Sequence, residues 1–446
     1  MDGSLEHQEI QPSNVISTGV VSFKNGNPVI QFIIGEQEKY LIGSSLRFCG
    51  DIQFSDGGSV PANGSKLAVN STLGAYGMID QLSLSSQRSK QSIESIRHYG
   101  RFLATYLPTQ SNIQESIGHM NAVSNMMPNI ECQRLGMVNN TNGVSATNRN
   151  SQGSPFCLNL PSGLLNSQQP IPLSSTWGVG GLLLEIRLTP DSQFLFASNN
   201  QSGSLTDPSY SLRNLKLVYE CVNPSVDVLS TLKSQSGNTL EYNSVSSYYT
   251  TVNSTNAIVN FNLGIKNCLS AFFNIIPSSR LNNLSEDGFA TLPFTNSTTT
   301  GVAEIKQINF TRNGVKFPLQ YNLDTNVNPK YIPTGTTYYP EDPQILRNAL
   351  DSLKPYSSYK KTQVSPTTFT RGLDGNSRDG SMPHQSLFFV GVNFDNISNQ
   401  GVDFTNSTLG IQMELGLTTD NPQTLFLFVH NKNTLVFSPN GLQVVN

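Results

Sequence analysis

The sequence predicts an all-β protein, organised as two consecutive β-sandwiches with a few short inserted helices, and three observations carry that prediction. Short apolar-polar alternations bounded by turn residues recur along nearly the whole chain, which is the period of half-buried strands and not of βαβ units. Two such series of similar length flank a stretch around Asn223–Asn238 that holds Asn-Pro, Ser and Gly without a period. The length also allows it, because 446 residues of which 37% are hydrophobic can bury two cores. The expected divisions are an N-terminal arm over 1–18, a first sandwich over 19–223, a linker over 224–240 and a second sandwich over 241–446.

The elements follow in chain order. Val20, Val21 and Phe23 lead into Lys24-Asn25-Gly26-Asn27, and Val29 to Ile34 return, so the Asn-Gly pair predicts a hairpin. Strands are expected at Tyr40–Ile42 and Leu46–Phe54, the latter with Leu46, Phe48, Ile52 and Phe54 on one face. Ile93, Ile96, Gly100 and Leu103 recur at helical spacing ahead of Pro108, and Ile113, Ile117, Met120 and Met127 do so ahead of Pro128. Residues 138–170 are turn-rich and polar, the composition of a long exposed loop. Leu182–Leu188 and Leu212–Cys221 complete the first series of strands.

The second series opens with Ala257–Leu263 and Leu269–Ile276. Ile305–Phe310 and Val315–Leu319 flank Asn313-Gly314 as another hairpin. Asp342 as N-cap, Pro343 at the first helical position and Pro355 as the stop delimit a helix that buries Ile345, Leu346, Ala349, Leu350 and Leu353. Leu387–Phe394, Leu409–Leu417, Leu425–Val429 and Leu435–Phe437 are the last strands. The repetition is architectural and not residue by residue.

Charge is scarce. Asp, Glu, Lys and Arg make up 13% of the chain and the net charge is −3, which gives no bulk attraction for nucleic acid or anionic membranes. Met1–Asn14 has neither a basic nor an apolar segment of a secretory signal, and no later run is long and apolar enough to span a bilayer, so a soluble protein made in the cytosol is expected. The five cysteines, Cys49, Cys132, Cys157, Cys221 and Cys268, show no CxxC spacing and read as buried reduced thiols.

Catalysis should leave a constellation, and none is legible. Gly64-Ser65-Lys66 lacks the order of a phosphate-binding loop, and Asp374–Gly380 fails as a calcium loop because Arg378 stands where an oxygen ligand belongs. No two of His7, His98, His119, His384 and His430 are three or four apart, as neighbouring metal ligands on a helix would be. His98 reads as a helix-surface residue and His430 as a strand end. Glu185 and Glu414 could be the carboxylate pair of a glycan-processing enzyme, but alternation explains each as an outward strand position. Lys354, Tyr356, Tyr359, Lys360 and Lys361 mix basic and aromatic residues as single-strand binders do, and read more simply as a solvated loop. No catalytic, cofactor-binding or metal residue is therefore expected. A carbohydrate-binding or viral attachment sandwich remains the alternative, and it would expose aromatics along a groove; Trp177 instead precedes the Gly178–Gly181 turn and a core strand.

Several stretches together resemble the double jelly-roll major capsid proteins of Polinton-like viruses, virophages and their relatives: Tyr40–Gly50, Gly77–Leu82, Ile93–Arg101, Tyr210–Glu220 and the terminal strands from Leu425. The resemblance runs from about Gly19 to Asn446, and the chain is short for the group, which implies short exposed loops. The resemblance implies two jelly rolls per subunit, a homotrimeric six-sided capsomer, and trimers tiling an icosahedral shell. It also implies a penton or minor capsid protein as partner, an internal membrane in some members, no cofactor, no enzymatic activity, no sequence-specific nucleic-acid binding and a place in the virion. A charge-poor surface suits that role, because like charges juxtaposed in packed flanks cost several kcal/mol whereas amides and hydroxyls pair without that penalty.

Overall fold

The computed structural model describes residues 4–15, 19–24, 26, 28–57, 67–70, 73–110, 154–197, 207–234, 238–284, 287–289, 291, 305–324, 343–354, 364, 388–395, 400–415, 422–438 and 441–445. The first half holds strands β1 (Leu5–Ile10), β2 (Val29–Ile34), β3 (Tyr40–Asp56), β4 (Leu67–Ala68), β5 (Ile79–Ser86), β6 (Ser92–Arg97), β7 (Ser154–Asn159), β8 (Ile171–Pro172), β9 (Leu182–Leu188), β10 (Phe196–Ala197) and β11 (Pro208–Val222). Helices α1 (Tyr99–Tyr106) and α2 (Asp191–Phe194) interrupt it, and α3 (Val226–Ser234) connects it to the second half. That half holds β12 (Asn238–Val252), β13 (Asn256–Asn262), β14 (Cys268–Pro277), β15 (Ile305–Arg312), β16 (Val315–Lys316), β17 (Leu323–Asp324), β18 (Val390–Asn393), β19 (Thr408–Leu415), β20 (Gln423–Ser438) and β21 (Gly441–Val445), with helix α4 (Pro343–Asp351) ahead of β18.

The pairing gives the architecture. In the first half one sheet runs β1-β11-β3-β7 and the facing sheet β2-β9-β5-β6; in the second half the orders are β12-β20-β14-β18 and β13-β19-β15-β16. If the eight principal strands of each half are counted from one to eight, both halves read 1-8-3-6 over 2-7-4-5. That is two antiparallel jelly rolls of the same connectivity, each closing its core between two sheets. An aromatic pair bridges the sheets in each: Phe32 to Phe48 at 5.9 Å between centroids in the first, Phe273 to Phe310 at 6.0 Å in the second.

Local sequence explains many strands. β2 buries Ile30, Phe32 and Ile34 and turns Val29, Gln31 and Ile33 outward; β9 buries Leu182, Leu184, Ile186 and Leu188. Asn313 and Gly314 take φ of 49° and 81°, the mirror-image turn that joins β15 to β16. β3 is one 17-residue strand where two were expected, and it keeps Leu46, Phe48, Ile52 and Phe54 inward, all at most 2% exposed. One irregularity falls on its partner, where Asn214 adopts φ 52° between Arg213 and Lys216, and a second falls on β3 itself between Ile42 and Arg47. Leu215 from the first bulge and Phe156 leave no room for a side chain at position 50, which is glycine.

Several expectations are corrected. The first Asn-Gly hairpin does not form, since Val21 makes only an isolated bridge to Leu212 while β2 pairs with β9. Residues 5–10 of the expected arm form an edge strand aligned Leu5↔Val222 to Ile10↔Leu217. The expected loop over 138–170 includes β7, where Phe156 and Leu158 are buried, and the expected linker over 224–240 includes α3 and the start of β12. The helix expected over Ile93–Leu103 is strand β6 followed by α1. α4 forms as expected and buries Ile345 and Ala349, with Leu353 buried in the turn just beyond it, but Leu346 and Leu350 are only half-buried. The helix expected at Ile113–Met127, Gly64–Lys66, Asp374–Gly380, Cys132, His119, His384 and Tyr356–Lys361 lie outside the described residues.

Candidate functional site

The densest buried polar chemistry lies where the two sandwiches meet. β6 pairs with β5, and the register shifts between Leu84 and Ser85 so that Ile93 and Glu94 are both buried in succession. A bulge re-aims side chains in this way. It sends Glu94, 3% exposed, into the joint. Oε1 accepts from the backbone N–H of Gly163 (3.1 Å) and Val245 (3.0 Å) and from the Ser244 hydroxyl (3.2 Å), and Oε2 from Leu164 N–H (3.0 Å). Burial pushes its carboxyl upward from the ordinary range, against the backbone N–H groups that favour the carboxylate. One side chain thus satisfies backbone donors from a loop of the first sandwich and from β12 of the second. Gly163 is required there, because a Cβ would land on the Asn243 carbonyl oxygen. Tyr242 donates to the Ile93 carbonyl at 2.8 Å and Ser247 accepts from Arg97 N–H at 2.9 Å, extending the seam between β6 and β12.

His98, with φ 55° and ψ 41°, turns the chain from β6 into α1. It is half-buried and not free on a helix surface: its ring lies edge-on to Phe426 at 4.9 Å and Tyr249 at 5.2 Å, and its Nδ1 is 3.6 Å from Asp80. Arg101 is 5% exposed, donates to the Gly288 carbonyl at 2.8 Å and stacks its guanidinium over Phe426 at 4.4 Å. Burial lowers its pKa to about 10, opposed by the charges of Asp80 and Asp287, so it stays cationic at neutral pH. Asp287, also buried, accepts from Asn70 at 2.6 Å and from Phe289 N–H at 2.9 Å. Phe102 inserts against Phe428 (5.8 Å), Phe272 (6.2 Å) and His430 (6.4 Å) of the second sandwich.

His430 is fully buried in β20, not at a strand end. Its Nδ1 lies 2.9 Å from the Ser270 hydroxyl, which itself donates to the Ser352 carbonyl at the end of α4. A hydroxyl beside an imidazole is the pairing of a nucleophile with its base. Here both side chains are 0% exposed, and burial lowers His430 to about 4 despite the Ser352 carbonyl, which favours a protonated ring. The pair is a sealed, neutral clasp between α4, β14 and β20, and no substrate can reach it.

The remaining candidates do not converge. Glu185 points outward on β9, accepting from Gln31 at 2.9 Å, and Glu414 is exposed on β19 opposite Asn256 and Gln307, so the two belong to different sandwiches. His7 is exposed on β1 beside Glu220. Trp177 is 2% exposed and packs on Tyr40. Among the described residues no cluster of three or more His, Cys, Asp or Glu could hold a metal ion.

The outer face of β2-β9-β5-β6 carries a row of Gln31, Glu185, Ser83 and Ser95, with Gln81 donating to Ser83 (3.0 Å) and Ser95 (2.9 Å). Amides and hydroxyls form most of this row, with Glu185 in it and exposed Arg97 and Arg187 beside it. The cysteines depart from expectation. Cys221 and Cys268 are buried, but Cys49 and Cys157 are half-buried and face each other across β3 and β7 with their sulfurs 3.1 Å apart. Nothing in a 108-residue separation marks that pair in the sequence.

No protein-family model matches the chain, and no curated protein does. Solved structures match over nearly the whole length. VP54 of PBCV-1, as fitted into a cryo-EM reconstruction of the virophage Sputnik, is 11% identical, with a TM-score of 0.55 over 100% of this chain and 98% of that one. A chain of the cryo-EM structure of the Sputnik virophage is 13% identical, with a TM-score of 0.56 over 100% and 89%. The Faustovirus major capsid protein is 9% identical, with a TM-score of 0.52 over 98% and 91%. At these identities the likeness shows the fold, the double jelly roll.

Proposed function

We propose that this protein, which has the double jelly-roll fold of virophage and giant-virus capsid proteins, is a viral major capsid protein that forms homotrimeric, six-sided capsomers tiling an icosahedral shell. The observation that carries the reading is the joint: two sandwiches with the same 1-8-3-6 and 2-7-4-5 strand orders are held together by Glu94, Arg101 and Phe102. Three such subunits around an axis present six similar sandwiches, which is what a six-sided tile needs from a trimer. The likeness to the Sputnik and Faustovirus structures supports the same reading, and the outer face, mostly amides and hydroxyls, suits flanks that pack side by side. On this reading the chain acts through contacts and performs no reaction. It partners itself, then neighbouring trimers and a penton or minor capsid protein at the vertices, and it resides in the virion.

The test is mass and shape. The purified chain should weigh about 146 kDa, three times its 48.7 kDa, by light scattering, and show a hexagonal outline in electron micrographs. A monomer at micromolar concentration overturns the reading.

A further inference from the structure

We propose that Cys49 and Cys157 form a redox-responsive cross-strand lock, a dithiol in a reducing compartment and a disulfide between β3 and β7 in an oxidising one. The inference is independent of the capsid reading, since it concerns one chain. Three features of the geometry carry it. The residues are directly opposed in the antiparallel ladder, Cys49↔Cys157, which brings cross-strand Cβ atoms to about 4.5–5.5 Å, close to the spacing a disulfide tolerates. The sulfurs are 3.1 Å apart, about 1 Å beyond a covalent S–S bond. Both side chains are half-exposed, so a small oxidant can reach them, whereas Cys221 and Cys268 are 0% exposed.

The surroundings favour the chemistry. Cys49 S–H donates to Cys157, and Arg47 and Lys216 add positive charge; together they lower Cys157 to about 6 and make it the nucleophile, while that hydrogen bond and burial raise Cys49. Lys216 is the cross-strand neighbour of Cys49 on β11, so its position is set by the same sheet. The oxidant class is a small disulfide such as oxidised glutathione. Cys157 thiolate attacks one of its sulfurs, forming a mixed disulfide and releasing glutathione thiolate, which takes up the proton that Cys49 loses. Cys49 thiolate then attacks the Cys157 sulfur and expels the second glutathione. Two protein thiols are oxidised and one glutathione disulfide is reduced to two thiols.

The bond would join the edge strand β7 to the central strand β3 on the solvent-facing side of the first sandwich. An edge strand is the element most prone to peel from a sheet. The lock therefore acts at one of the two edges of the β1-β11-β3-β7 sheet.

The full-length chain is incubated in glutathione buffers running from fully reduced to fully oxidised, quenched with N-ethylmaleimide and mapped by mass spectrometry. The expected result is a peptide linked through Cys49 and Cys157, about 2 Da lighter than the two free peptides, with Cys221 and Cys268 unmodified in the folded protein. The oxidised chain should melt at least about 2 °C above the reduced one, and this increment should vanish in Cys49→Ser and Cys157→Ser. In Cys49→Ser, Cys157 should stop at the glutathione adduct. Both thiols remaining free in oxidised glutathione, a stable adduct at Cys157 in the unmodified chain, or a bond to Cys132 in place of the linked peptide would overturn the proposal. Trimer mass measured on the same samples reports on the capsid reading separately.

Discussion

Glu94 shows how one buried carboxylate can do more for this protein than any surface charge. Its oxygens receive three backbone N–H groups, and a buried donor left without an acceptor costs about 1–3 kcal/mol. Glu94→Ala should therefore lower stability by at least about 3 kcal/mol in urea titration, a loss that a surface strand position would not show. His430 offers a pH test. Burial lowers it from 6.5 to about 4, so the neutral ring's contribution is fully present above pH 6.5 and is lost as pH falls through 4. Over that window the loss is on the order of 3 kcal/mol. His430→Asn, which keeps an amide donor near Nδ1, should show a shallower fall in melting temperature between pH 6.5 and 4 than the unmodified chain. Identical slopes would mean that His430 titrates normally.

At the scale of elements, α4 is the clearest instance of sequence pattern meeting tertiary context. Its apolar positions fall on one face, yet the face divides: Ile345 and Ala349, with Leu353 in the turn just beyond, are at most 2% exposed, while Leu350 sits at the margin, half-buried. Ala349 and Ser352 approach Gly391 on β18 so closely that any side chain there would clash, which sets how the helix lies and leaves Leu350 off-centre. Leu353→Ala should cost about 2–5 kcal/mol, and Leu350→Ala less than about 2 kcal/mol. Melting curves of the two variants check the order; equal costs would place the helix differently. α1 follows another logic. Eight residues long and buried on nearly every side, it owes its stability to packing between β5 and the sheet of the second sandwich more than to helix propensity.

For the whole molecule, that placement of α1 governs cooperativity. Phe102 contacts Phe272 and Phe428, and Arg101 contacts Phe426, so part of the first sandwich's chain completes the core beside the second. The two jelly rolls should unfold together. Phe102→Ala removes a ring from the seam at a cost of about 3–5 kcal/mol and should split one calorimetric transition into two. A single transition in this variant at reduced temperature would show that Glu94 and the β6–β12 seam suffice. In the proposed capsomer the coupling would matter geometrically, because six sandwiches make a regular outline only if each pair keeps its angle.

The residues alone encode what short-range chemistry can carry. Alternation marked β2 and β9 to the residue, and Asn313-Gly314 marked its hairpin through the positive φ those residues tolerate. The all-β class and the repetition of two series follow from the same period. Tertiary structure decided the rest. Ile93, Ile96, Gly100 and Leu103 fit a helical period, but pairing with β5 took Ile93 and Ile96 into a strand, and a bulge turned Glu94 into the joint. His430 reads locally as a strand end, but β20 is one 16-residue strand with neighbours on both sides. Cys49 meets Cys157 only because the third and sixth strands of a jelly roll are neighbours. Each of these outcomes depends on which strands pair, and pairing is settled by contacts far apart in the chain, where local pattern carries no signal.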